Sequence, residues 1–138
     1  MVPMLLVTSN KSKQLLYLCF VGAVRSDEFA NGREDVITQL AALSPGFRYL
    51  VDLTDLEFMG VECMAELGRL MELIGQAGVG LVVRVIPDPS KDIGMNILTV
   101  FHYPPSLPVV TCQSLAEAVQ ALGLWPTVKK AEDAQGCR

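Results

Sequence analysis

The chain has 138 residues, 51% of them hydrophobic and 19% charged, with a formal net charge of −4. That length and apolar content predict one domain with a sizeable core and exclude a disordered chain. An acidic balance with scattered Lys and Arg excludes the clustered basic surface that nucleic-acid phosphates require.

A mean hydropathy of +0.37 raises the question of a membrane segment. The longest apolar run, LLYLCFVGAV at 15–24, is about half of the roughly 20 residues a spanning helix needs. With Lys11 and Lys13 before it, the run shares features with a secretory signal's apolar region. A second apolar segment precedes it at 4–7, and a pair of strands joined at Asn10-Lys11-Ser12 accounts for both. The first two strands are therefore expected at 4–7 and 14–21, with Gly22 ending the second.

Ser26 is expected to cap a helix whose first turn carries Asp27 and Glu28, favourable at the positive end of the helix dipole. Phe29, Arg33, Val36, Ile37 and Leu40 follow at helical spacing and predict its inward stripe, while Asn31-Gly32 allows a later start. Ser44-Pro45-Gly46 stops it. The third strand, 49–53, is apolar on both faces, as a centrally placed strand covered on both sides would be. A junction at 58–63 leads into a second helix. That helix places Cys63, Leu67, Leu70, Met71 and Ile74 on one face and Glu62, Glu66, Arg69 and Gln76 on the other. Gly75 and Gly78 mark its end.

A fourth strand is expected at 81–86, closed by Pro87-Asp88-Pro89. A third helix, capped by Ser90, would point Ile93, Ile97, Val100 and Phe101 inward and end at Pro104-Pro105. The last strand is 109–111, and Ser114-Leu115-Ala116-Glu117 is a capping box opening a final helix to about Leu122, stopped by Gly123. Residues 1–125 are expected to form the domain and 126–138 a polar, flexible tail. The order β-β-α-β-α-β-α-β-α predicts an α/β domain with a mixed, mostly parallel sheet of about five strands and about four helices.

The order and its central stretch resemble the STAS domain, the fold of sulphate transporters' regulatory domains and anti-sigma-factor antagonists. Family members carry an aspartate-leucine-serine step after the third strand, then an apolar residue, then an aspartate-serine-serine-glycine box at the second helix. Here Asp52-Leu53-Thr54, Leu56, Phe58-Met59 and Gly60-Val61-Glu62-Cys63 stand in those places. Gly22 fits the glycine ending the family's second strand, and Pro108-Val109-Val110 with Ser114-Leu115-Ala116-Glu117-Ala118 fits its last strand and helix. The resemblance covers roughly residues 4–122. In the antagonists it implies that the second serine of the box is phosphorylated by an anti-sigma kinase; the matching residue here is Glu62, which cannot accept phosphate.

The chemistry-bearing residues carry two readings each. Glu62 is either a first-turn acid, stabilised by about 0.3–1 kcal/mol at a helix N-terminus, or a fixed imitation of a phosphorylated serine. Cys63 could be a thiolate nucleophile at a helix start, but the sole histidine, His102, stands at no catalytic spacing from it; a small core residue is the expectation. Thr54 is an alternative phosphosite or a turn residue bonded to nearby backbone. Asp52, Asp55 and Glu57, like Asp88 and Asp92, lack the further ligands a metal site needs. His102 reads as a helix-end imidazole and Trp125 as local packing. Glycines 75, 78 and 80 form no dinucleotide fingerprint. The four cysteines show no paired spacing and are expected to be reduced thiols.

The expectation is a cytoplasmic, non-catalytic, cofactor-free regulatory module that binds a protein partner. The binding surface is expected on the loop Glu57, Phe58, Met59 and Gly60 and the exposed helix start Val61, Glu62, Met64, Ala65 and Arg69. The resemblance implies an anti-sigma kinase-like partner or a membrane-complex subunit, and no nucleic acid. A small-ligand sensor for lipid or nucleotide, or the STAS subunit of a membrane transport complex, is the alternative. Self-association into a homodimer through an exposed first strand is a further expectation.

Overall fold

A computed structural model describes residues 3–87 and 103–123. Six strands and three α-helices are present there: β1 (Met4–Asn10), β2 (Leu15–Val24), α1 (Ser26–Leu40), β3 (Arg48–Asp52), β4 (Leu56–Met59), α2 (Met64–Gln76), β5 (Leu81–Val85), β6 (Val109–Cys112) and α3 (Leu115–Ala121). A single 3₁₀ turn, Val61–Cys63, leads into α2. The main sheet runs β1-β2-β3-β5-β6. β1 is antiparallel to β2, and β2, β3, β5 and β6 run parallel. The expected mixed, mostly parallel α/β sheet is thus present, with one strand more than predicted.

The period-two alternation of the strands divides the core in two. Leu16, Leu18 and Phe20 of β2 and Tyr49 and Val51 of β3 turn toward α1 and α2, meeting Phe29, Val36, Leu67, Leu70 and Ile74. Leu50, Val83 and Val85 turn the other way and meet Ala118 and Leu122 at α3. β3 is buried over four of its five residues, as a strand covered on both faces must be. The apolar face expected for α2 is the one buried: Cys63, Leu67, Leu70, Met71 and Ile74 all lie in the core.

Several local expectations are corrected. β2 does not stop at Gly22. It passes through Gly22 at φ 75 and continues to Val24, because a register shift between Gly22 and Ala23 lets its last residues pair with β4. A left-handed φ of that kind is what glycine supplies without steric cost. Ser26 is not the cap of α1. Arg25 occupies that place, and its backbone N–H donates to the Glu28 carboxylate at 2.8 Å. Ile37, expected to face inward, is 47% exposed. The buried positions of α1 are Phe29, Gly32 and Val36, with Leu40 packed half-buried against the same core as expected; bare Gly32 lets the helix sit against Leu5 of β1 and turns Ile37 outward.

The final helix begins at Ser114, whose Oγ accepts from the Glu117 N–H at 3.2 Å, while the Glu117 carboxylate accepts from the Gln113 N–H rather than from Ser114. It ends where Gly123 takes φ 70. The third helix expected after Ser90, with Asp88, Asp92 and His102, lies outside the described residues. So do Trp125, Cys137 and the tail at 126–138. At the pole away from the junction, Arg48 donates to the Leu122 carbonyl and, at 2.6 Å, to the Lys13 carbonyl.

Candidate functional site

The parallel strands β2, β3, β5 and β6 all end at one pole, and the junction sits there. β3 delivers Asp52, only 6% exposed. Its carboxylate accepts from the Thr54 N–H at 2.9 Å, from the Thr54 hydroxyl at 2.5 Å and from the Tyr17 hydroxyl at 3.1 Å. A buried carboxylate is costly unless donors replace its water, and these three do so. Asp52 thereby fixes the turn that sends the chain into β4. The Thr54 side chain is exposed and bonded to that carboxylate rather than to backbone. The Gly22 N–H donates to the Asp55 carbonyl at 2.9 Å and ties the same turn to β2.

The segment expected as a loop at 57–60 is mostly strand. β4 pairs in parallel with the end of β2, Phe58 opposite Ala23 and Met59 opposite Val24. Phe58 is left 63% exposed, and Val61, beyond it, is 87% exposed. Glu57, Glu62, Ala65 and Arg69 are exposed as well, whereas Met59 and Met64 are half-buried against the core and Gly60 is buried. The nine residues therefore share one region, with Phe58 and Val61 as its outward apolar members. Large apolar side chains exposed together are the informative exception on a soluble surface.

Arg33 of α1 reaches Glu66 of α2 at 2.6 Å and ties the two helices together, while Arg69, one turn along the same helix as Glu66, reaches its other carboxylate oxygen at 2.6 Å. Partial desolvation pushes the Glu66 carboxyl up, but hydrogen bonds and charge from Arg69 and then Arg33 outweigh it and hold it below its ordinary value. Beside Phe58, an open groove of about 600 Å³ runs between the end of β2 and the start of α1, lined by Ala23, Val24, Arg25, Ser26, Asp27, Phe58 and Glu62. Sequence order hides this groove, since its two walls meet only through the β2–β4 pairing.

Cys63 is fully buried, and its Sγ donates to the Val24 carbonyl at 3.6 Å. Burial, followed by the negative charge of Glu62, pushes its thiol up, opposite to what a nucleophile needs. Cys19 and Cys112 are free, buried and also shifted up, first by burial. Among the described residues no three His, Cys, Asp or Glu side chains gather as a metal site would require. No described helix is long and apolar enough to cross a membrane.

No protein-family model matches the chain, and no curated protein matches it in sequence. Solved structures do match it in shape. A protein of the DUF3478 family from Shewanella loihica, with a SpoIIAA-like fold, superposes with a TM-score of 0.69 at 14% identity, over 88% of this chain and 96% of its own. An anti-sigma factor antagonist from Mycobacterium paratuberculosis gives 0.57 at 19% identity, over 88% and 95%. The anti-sigma factor antagonist SpoIIAA in its unphosphorylated form gives 0.56 at 18% identity, over 88% and 98%. The chain therefore has the SpoIIAA-like fold, the STAS-like architecture that its order of elements implies.

Proposed function

We propose that the chain is a non-catalytic regulatory module of the cytoplasm that acts by reversible protein–protein binding, in the manner of an anti-sigma-factor antagonist. The observation that carries this reading is the exposed pair Phe58 and Val61, held on the junction of a fold that antagonists share. An exposed aromatic beside an aliphatic side chain supplies contact area at low ordering cost, and the surrounding charges select the partner. Glu62 and Arg69 are the charges so placed. The partner class is an anti-sigma kinase-like protein or a subunit of a membrane-associated complex. Because Glu62 carries a permanent charge where a serine would be switched, binding here is not toggled by phosphorylation at that residue.

The test is quantitative capture from native extract with the wild-type chain and with Phe58→Ser and Val61→Asp. Both positions face solvent, so the variants are expected to fold normally, which circular dichroism checks. A partner held by the wild-type chain should bind each variant at least about thirtyfold more weakly, the size of a hot-spot loss of about 2 kcal/mol. Equal retention by all three proteins would place the interface elsewhere. Glu62→Ser adds a second arm: if the acid imitates a phosphorylated state, the serine variant gains binding to a kinase-like partner, and unchanged capture removes that role.

A further inference from the structure

Resting on the reading of the junction as a docking surface, we infer that the groove beside it seats a cationic side chain, arginine or lysine, from a partner segment whose apolar neighbour lies on Phe58 and Val61. The groove's lining holds two carboxylates, Asp27 and Glu62, against one guanidinium, Arg25. The neighbouring acids are already committed. Glu28 accepts from the Arg25 backbone N–H, and Glu66 is bracketed by Arg33 and Arg69. Asp27 and Glu62 have no hydrogen-bond or ion-pair partner among the described residues. Two uncommitted acids in an open groove, bordered by exposed Phe58, favour a partner with the opposite charge and an apolar flank.

Gly60 belongs to the same device. Its backbone, φ −70 and ψ 162, is open to any residue, so its conformation does not call for glycine. The Glu62 side chain folds back across it, and a methyl group added at Gly60 would fall 2.5 Å from Oε2 and 2.7 Å from Cδ. The missing side chain is the room that the Glu62 carboxylate occupies on its way to the groove. Gly60 is thus a positioning residue for Glu62. Those colliding atoms are the end of a flexible side chain, so Gly60→Ala should move the carboxylate without unfolding the protein.

The experiment titrates the isotopically labelled full chain with two synthetic peptides, acetyl-Leu-Arg-Leu-Arg-Leu-amide and acetyl-Leu-Glu-Leu-Glu-Leu-amide, and follows backbone amide shifts. The arginine peptide should move the amides of residues 23–27 and 58–62, the glutamate peptide should not, and added salt should weaken the effect. Glu62→Gln and Gly60→Ala should each weaken the arginine peptide by about threefold or more, the scale of a surface charge pair, and flatten its salt dependence, with the thermal midpoint of Gly60→Ala unchanged. Equal shifts with both peptides, shifts confined to other surfaces, no shifts at all, or indifference to Glu62→Gln would each overturn the inference. Should a native partner lose binding to Phe58→Ser while alanine replacement of its own basic contact residues changes nothing, the docking surface stands and the cationic occupant falls.

Discussion

Gly32→Ala sets two effects of opposite sign against each other at the contact that positions α1. Alanine is about 1 kcal/mol better than glycine inside a helix, so local propensity favours the change. The added methyl would lie 2.9 Å from Leu5 Cγ and closer still to Leu5 Cδ2. Leu5 is 9% exposed and wedged between β1 and the helix, so its side chain has little room to swing away. Overpacking by one methyl in a filled core costs about 1–3 kcal/mol. Packing wins, and Gly32→Ala should destabilise the protein by about 1 kcal/mol. Leu5→Ala alone should cost about 2 kcal/mol, the low end of the range for such truncations, because β1 is an edge strand. In the double variant the methyl enters the vacated space, the clash vanishes and the propensity gain remains. The two losses should therefore fall short of additivity by at least about 1 kcal/mol. Urea unfolding followed by circular dichroism reads all four proteins, with equal slopes required for the comparison. A stabilised Gly32→Ala, or strict additivity, would refute the packing argument.

At the junction, Asp52→Ala strips the acceptor from three donors and should cost about 2–3 kcal/mol, whereas Asp52→Asn keeps an acceptor for Thr54 and an amide for Tyr17 and should cost less than about 1 kcal/mol. Equal losses in urea unfolding would show that the charge, not the turn geometry, matters. Burial, the largest cause in each, holds the Cys19, Cys63 and Cys112 thiols above 9.0 and the Tyr17, Tyr49 and Tyr103 phenols above 10.0, and at Tyr103 it outweighs the nearby positive charge of Arg84. Each is neutral in the fold and ionises more readily when unfolded. Its contribution is complete below those ordinary values and is lost as pH rises through the higher folded ones. The thermal midpoint should fall beyond about pH 9, and a midpoint that rises there would contradict the burial of these groups.

Much of the fold was legible because burial on two faces leaves a plain trace. The mostly apolar run at 49–53 and the five-residue apolar stripe leading into and along α2 each admit one placement. Three features resisted. β4 is only four residues long and shows two exposed side chains, so it has no periodic signal; its cause lies in Gly22, where β2 shifts register. Ile37 obeyed the helical period yet faces out, because a glycine that no hydrophobicity pattern rewards took the inward place. The burial of Asp52 leaves no trace in the sequence, because Tyr17, a donor that makes it tolerable, lies 35 residues away. The groove was illegible for a related reason: residues 23–27 and 58–62 share no motif, and only strand pairing joins them.

The register shift between β2 and β4 also bears on how such a surface could diversify. Ala23 faces Phe58 while Gly22 faces Leu56, so Glu57 is an extra residue on one side of the ladder. Alternate residues of a strand point to opposite faces, and one residue more or fewer there exchanges the outward set for the inward one. Phe58 thus owes its exposure to the count of residues before it as much as to its own identity. A lineage altering partner choice could do so by a single insertion or deletion at this point, changing every presented side chain at once while the sheet beneath stays the same.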